Sequence, residues 1–507
     1  MKKFNGIFRT LLNNLTRFSP LLINKITKDT YIVRGYLALV TVAALCFLSS
    51  ILTHEYQTLI KTFGLALLVL SGFWVYWLLK DKTSLEDCIF AIGVGNVIFL
   101  LAAYLTTYDV GGPKNYFKIG FTYSNFWDFY YQLLLAADKS YLTIASGYFP
   151  LAWTFSDFFA QVDGWSGAGP EIKWSTKIMY FMVFGICMSS FLLFFNDLKG
   201  KFTTKNAILI ILFIAISYPI LFAYERGNFV IISLFFLTPA LYAYWKNNIP
   251  VSIIFFALFF SMKTVNLILL PTFIRFFGIR YTVYLSVLIL TIQIASLFYV
   301  TGGLSQAPMF GEALFAPFWG VLSSLPITFT SAGFQQNYIA TDGGRLQGIT
   351  NLDTIRVLFH TIIYDVRLNI ISITTNLQIL YNVIGLTGVS YYFIKNWKVG
   401  DIYAEIIAIL SLMMFAQSSS AEYNLILLYP AVMILLLTGK WQQYKLGLKS
   451  LILMTVSMGS LPIYMVQVYP DADLFIAAGV KALWVPYFLV VSFFIFSTNQ
   501  KTVNQSD

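Results

Sequence analysis

Few side chains in this sequence can do acid–base or ionic chemistry, and those that interrupt long apolar runs are the first candidates. Lys263 stands near the middle of the apolar stretch Val251–Phe273, with arms of roughly 10–12 residues on either side, too short for a bilayer core. A lysine in such a segment is expensive and by default marks a functional site. Tyr224–Asn228 reads YERGN between two uninterrupted apolar spans. There Arg226 offers a guanidinium that grips phosphate or carboxylate through paired hydrogen bonds, with Glu225 and Asn228 flanking it. Asp128 lies in FWDFYYQLLLAA, residues 126–137, and Asp109 lies in TTYDVGGP just after an apolar span. A positioned carboxylate takes a proton from a hydroxyl nucleophile, and fixed cations hold an anionic leaving group. Plainer readings stay open beside these: Asp128 as a carboxylate at a headgroup boundary, and YERGN as a hydrophilic turn.

The elements that must position these groups follow from composition. Of 507 residues, 58% are hydrophobic and 11% are charged, against about 25% charged in ordinary globular domains. So little charge cannot cover a soluble surface, and long uncharged runs such as Ala207–Tyr224, Phe229–Trp245 and Tyr281–Val300 have the length of membrane spans. The expectation is an all-α polytopic membrane protein with roughly 12–14 spans. Its net charge of +10 suits basic loops on the inner face, and no nucleic-acid partner is expected. Cys46, Cys88 and Cys187 lie in or beside apolar segments, and His54 and His360 are far apart in sequence. No metal site and no cofactor are expected.

Residues 1–33 carry apolar side chains at helical spacing with Lys2, Lys3, Arg9 and Arg17 between them, as in a basic amphipathic helix lying on the cytoplasmic membrane face. Residues 34–507 then form the transmembrane domain. The arm up to Arg34 holds seven Lys/Arg and one Asp, so it is assigned to the inside. Counting crossings from there puts Lys199, Lys201, Lys205, Lys246, Arg275, Arg280, Lys395, Lys398, Lys440, Lys445 and Lys449 inside as well. Both chain ends are then cytoplasmic, and the two long semi-polar stretches, 108–173 and 301–365, are outer loops. The tally requires Val251–Phe273 to cross an even number of times, as a hairpin whose tip at Lys263 sits below the outer surface in a cavity. Arg226 and Lys263 are then cations on the outer side, where a lipid phosphate would suit them.

Several short motifs occur in order along residues 108–430. Asp128-Phe129-Tyr130-Tyr131 precedes a Gly-containing gap and Tyr148-Phe149-Pro150-Leu151; Arg226-Gly227-Asn228 follows, then Ser261-Met262-Lys263 with Pro271, then Glu422-Tyr423-Asn424 with Pro430. Together they resemble glycosyltransferase family 87, whose members are GT-C-type membrane enzymes that use polyprenyl-phosphate sugars, polyprenol-phosphate-mannose-dependent mannosyltransferases among them. The pattern departs from the family at Phe149, where a second proline is usual, in the late position of Pro271, and in lacking a histidine near Glu422. The resemblance implies a GT-C-type helix bundle and an inverting sugar transfer on the outer face, to an acceptor hydroxyl of a glycan, glycolipid or wall polymer. It implies Asp128 as general base with Asp109 in reserve, and Arg226 and Lys263 on the donor phosphate. Glu225, Asn228, Tyr148, Glu422 and Asn424 become sugar or acceptor contacts. The second outer stretch, rich in Gly, Gln, Asn, Thr and Asp, is a candidate acceptor site or a plain capping loop.

From another class, a flippase or transporter of lipid-linked glycans would share the aromatic-rich cavity and the misplaced cations. No internal repeat is evident, which weighs against inverted-repeat transport. A polysaccharide polymerase or ligase acting on lipid-linked sugars is the nearer alternative.

Overall fold

The structure is a computed structural model. It describes residues 148–164, 174–215, 227–302, 386–394, 400–416 and 422–440, together with short pieces at 129, 132–133, 136, 217, 219–220, 223–224, 383, 466–468, 472–474, 492–493 and 496. All belong to the unit Thr107–Asp507. The amphipathic segment 1–33 and nearly all of both expected outer loops lie outside the described residues.

The described part is helical apart from one small hairpin. Nine α-helices can be named: α1 Pro150–Asp163, α2 Trp174–Ser189, α3 Phe195–Lys201, α4 Thr204–Ala215, α5 Val230–Trp245, α6 Ile249–Phe260, α7 Leu270–Thr301, α8 Ile402–Ala416 and α9 Tyr429–Thr438. Three 3₁₀ segments join them, Ser190–Phe194, Thr264–Leu269 and Glu422–Leu428. The hairpin pairs β1, Val466–Val468, with β2, Ala472–Leu474, in antiparallel register Val466↔Leu474. Periodicity assigns Ser450–Val468 to a span, but its last three residues are strand. Val-Gln-Val followed at once by the turn-prone Tyr-Pro-Asp favours extended pairing over a further helical turn.

Local chemistry explains most boundaries. Pro150 opens α1, where its missing N–H is no loss, and Gly164 closes it in a left-handed conformation with its N–H on Ala160 O and Gln161 O. Thr203 caps α4 through its hydroxyl, which accepts from Asn206 N at 3.3 Å. Asp401 caps α8, its Oδ1 accepting from Tyr403 N at 2.9 Å and Ala404 N at 3.3 Å. The tight link from α5 to α6 uses Asn247 at φ 59°, a conformation asparagine tolerates better than most residues.

Two helices are long and apolar enough to cross a membrane. Ile178–Lys201 has 24 residues and mean hydropathy 2.2; Asn266–Thr301 has 36 residues and mean hydropathy 2.1. Only 28% of each apolar window is buried within the protein, and Met182, Ile186, Leu192, Val283, Val287 and Leu290 are exposed. A core helix of a soluble protein would hide these faces; helices facing lipid expose them. The first of the two tightens to 3₁₀ geometry at Ser190–Phe194. Ser189 and Ser190 there turn their hydroxyls back onto Ile186 O and Cys187 O at 2.6 and 2.7 Å, which competes with the regular ladder. Within the expected span Ala207–Tyr224, where residues 219–220 and 223–224 are also helical, α4 ends at Ala215. Beyond it, Ile220 N bonds to Ser217 O across three residues, next to Pro219, which has no N–H and disfavours helix in its predecessor.

Helix α5 is the hub. It packs against α6, α2, α9 and the 3₁₀ segments Ser190–Phe194 and Glu422–Leu428, and most of its side chains are buried. Ser252 of α6 donates to Ala240 O at 2.8 Å, next to Pro239, whose position in α5 interrupts the helical ladder.

Charges gather at one end of this assembly. Lys246, following α5, pairs with Asp197 at 2.6 Å, and Tyr242 donates to the same carboxylate at 3.0 Å. One turn along α3, Lys201 donates to Leu436 O and Leu437 O at the end of α9, at 2.6 and 3.2 Å. Lys440 pairs with Asp401 at 2.6 Å, and one turn into α8 Glu405 pairs with Arg275. Lys201, Lys246 and Lys440, which the charge tally groups on one side, thus share one end. Arg275 does not behave as a solvated loop charge: it is buried at 4% exposure against Glu405 at 0%.

Candidate functional site

The opposite end of α5 carries the other motifs. Phe129, Gln132, Leu133 and Ala136 are helical and buried, a spacing that presents one helix face. That face meets α1: Ser156 donates to Gln132 Oε1 at 3.4 Å, and the Phe129 and Phe159 rings lie 4.9 Å apart, edge to face. Contacts falling from 132 to 129 as they rise from 156 to 159 make the two segments antiparallel. Phe129 also approaches Tyr180 of α2 at 4.9 Å and Phe229 at 6.2 Å.

Phe229 directly follows Asn228 of the YERGN knot. Asn228 is buried, and its Oδ1 accepts from Val230 N at 2.9 Å. Gly227 takes φ 64°, the left-handed turn that lets the chain double back before α5. Phe229 stands 6.3 Å from the ring of Tyr148.

Tyr148 in turn meets Lys263. The two residues form an isolated antiparallel bridge, with Phe149 N donating to Met262 O at 3.1 Å. Lys263 Nζ lies 5.2 Å from the centroid of the Tyr148 ring, within range of a cation–π attraction worth about 0.5–2 kcal/mol. Lys263 has extended backbone, φ −143° and ψ 137°, between α6 and the 3₁₀ segment Thr264–Leu269. The broken segment expected at 251–273 is present: α6 rises to the break, and the 3₁₀ segment and the first turns of α7 lead away from it to Arg275. At Gly278, with φ 79° and ψ 167°, the chain turns again into the long part of α7.

The break lies short of the helix end. Gln293 Nε2 donates to Ser261 O at 3.4 Å, which sets Ser261 level with Gln293, eight residues before Thr301. At 1.5 Å per residue α7 extends about 12 Å further. The span of α5, 16 residues, puts about 24 Å between this end and the charged end.

Three buried oxygens at the break have no hydrogen-bond partner: Ser261 Oγ, Asn266 Oδ1 and Gln293 Oε1. Ser261 belongs to a motif visible in the sequence, but Asn266 and Gln293 look there like ordinary polar residues of apolar helices. The buried pair Arg275–Glu405 carries a sequence signal, since Glu405 is an isolated carboxylate within the apolar run Ile402–Ala416.

Of the residues singled out from sequence, Tyr148 and Lys263 meet, and Asn228 joins them through Phe229. Asn424 is buried in the 3₁₀ segment Glu422–Leu428, which packs on α5, α8 and α9; Glu422 opens that segment. Asp109, Asp128, Glu225 and Arg226 lie outside the described residues. Among the described residues no group of three or more His, Cys, Asp or Glu side chains is close enough to share a metal ion. Compared with models of known families, with curated proteins and with solved structures, the chain matches none.

Proposed function

We propose that the chain is a polytopic membrane glycosyltransferase of GT-C type, which moves a sugar from a polyprenyl-phosphate donor to an acceptor hydroxyl at the outer membrane face. The observation that carries the reading is Lys263: an ammonium beside the Tyr148 ring, in a helix break about 12 Å short of the end of α7. A cation held there meets a lipid phosphate at headgroup depth while the polyprenyl chain lies along the exposed apolar faces. Phe229, which follows Asn228, lies 6.2 Å from the ring of Phe129 and 6.3 Å from that of Tyr148, and this proximity supports the reading. Both chain ends, with the charged end of the bundle, are assigned to the cytoplasm in this reading, and residues 108–173 and 301–365 to the outside.

The reaction needs little machinery. Asp128 takes the proton of the acceptor hydroxyl, with Asp109 the alternative base. The acceptor oxygen attacks the anomeric carbon from the face opposite the phosphate, the carbon–oxygen bond to phosphate breaks, and configuration inverts. Lys263 and Arg226 take up the charge on the departing polyprenyl phosphate. Asn228, whose carbonyl oxygen accepts from Val230 N at the start of α5, is assigned a contact to the sugar or the acceptor. Tyr148 orients Lys263 and walls the sugar; Glu225, Glu422 and Asn424 contribute polar contacts.

Purified full-length protein supplied with labelled polyprenyl-phosphate sugars and a panel of glycan and glycolipid acceptors should release polyprenyl phosphate and label an acceptor. Translocation of a lipid-linked glycan across proteoliposomes without transfer would overturn the reading in favour of transport.

A further inference from the structure

Of the three unpartnered oxygens at the break, two are amide oxygens held as acceptors, and the third, Ser261 Oγ, is a hydroxyl that can accept or donate. Asn266 Nδ2 donates to Phe259 O at 2.8 Å and Gln293 Nε2 donates to Ser261 O at 3.4 Å. The first of these bonds adds to the one that Phe259 O already accepts from Met262 N at 3.2 Å, and the second reaches a carbonyl just past the end of α6. They also settle which way each amide faces, so Asn266 Oδ1 and Gln293 Oε1 are left open. Ser261 Oγ, in the residue whose carbonyl Gln293 reaches, likewise has no hydrogen-bond partner. Exposures of 0%, 1% and 4% for Ser261, Asn266 and Gln293 exclude bulk water as their partner.

A buried acceptor without a partner costs about 1–3 kcal/mol. If packing alone mattered, Ala, Leu and Met would serve these positions better. The oxygens call for a ligand that brings donors. A phosphate or carboxylate is disfavoured by repulsion from the two amide oxygens, and a bound cation is disfavoured because Lys263 sits between Ser261 and Asn266 in the chain. A neutral ligand with several hydroxyl groups meets the requirement.

We infer that Ser261, Asn266 and Gln293 form the pocket for the sugar ring of the donor, its hydroxyls donating to the three open oxygens while Lys263 holds the adjoining phosphate. The inference rests on the proposed function and adds to it a division of labour: Lys263 reads the phosphate, which every donor carries, and the three oxygens read the sugar. They are sealed in this structure, so the sugar enters by movement of the non-helical stretch Ser261–Lys263, which meets Tyr148 and Phe149.

Binding of bare polyprenyl phosphate, polyprenyl-phosphate mannose and polyprenyl-phosphate glucose is compared for the full chain in lipid nanodiscs. Wild type should bind one glycosylated lipid more tightly than the bare one. Ser261→Ala and Gln293→Met should each lower that preference about tenfold, leave bare-lipid binding unchanged, and so serve as their own folding control. Ser261→Ala removes an unpartnered hydroxyl and should unfold no more readily than wild type, so it decides if Gln293→Met loosens the end of α6. Lys263→Ala should weaken all three lipids. A wild-type preference that survives in Ser261→Ala, or no preference in wild type, overturns the sugar pocket and leaves the glycosyltransferase reading standing. If wild type binds none of the lipids, that reading falls and the pocket with it.

Discussion

Replacing Glu405 by Leu leaves the guanidinium of Arg275 opposite a side chain of similar size with no charge. Arg275 is 4% exposed and Glu405 0%, so water cannot take over the lost contact and the discount applied to surface pairs does not apply. Tyr392 also loses its acceptor, since its hydroxyl donates to Glu405 Oε2 at 3.3 Å. Removing one partner of a buried pair typically costs about 3–5 kcal/mol, which raises the opening equilibrium roughly 10²- to 5 × 10³-fold at 1.4 kcal/mol per tenfold. The assay is thiol modification of Cys187, buried in α2, with Cys46 and Cys88 replaced by Ser. Glu405→Leu should speed modification by that factor under conditions where opening is rapid and reversible. The double variant Arg275→Met/Glu405→Leu replaces both charges by apolar groups and should come back to within about tenfold of wild type. A single variant within fivefold of wild type, or a double variant as labile as the single, would refute the claim that the pair holds the arm below Lys263 to α8.

Asp128→Asn should keep donor-lipid binding and lose transfer by about 10²–10⁴-fold, while Asp138→Asn has little effect; a dead Asp109→Asn with an active Asp128→Asn moves the base to Asp109, and three active variants end the general-base assignment. Lys263→Ala and Arg226→Ala should each cost about 10²–10³ in kcat, the range for loss of one donor to a developing anion, and normal turnover in both removes the phosphate role. Tyr148→Phe should keep the cation–π contact and near-normal donor affinity, whereas Tyr148→Ala should weaken it several-fold, on the order of 1 kcal/mol. An impermeant thiol reagent should label Ser140→Cys and Thr341→Cys in intact cells; labelling only after permeabilisation reverses the orientation.

What the sequence by itself determined is what depends on neighbours along the chain. Helix ends at Pro150, Gly164, Thr203, Asp401 and Gly439 follow from the residue types there, because caps, proline and glycine act within one helical turn. Lys263 announced the helix break for a similar reason, since an ammonium cannot sit unassisted in a regular apolar span. The residues that meet across the fold were not legible. Nothing local tells Tyr148 that its partner is Lys263, or tells Gln293 that its amide will reach Ser261 O. Arg275 and Lys201 have the same chain signature of a basic residue at the edge of an apolar run. Yet packing buries Arg275 against Glu405 and leaves Lys201 to bind the last carbonyls of α9. The tertiary structure decided these pairings because burial is a property of the assembled helices. Only after they pack does a polar group lose its water and need the particular partner, or the ligand, that satisfies it.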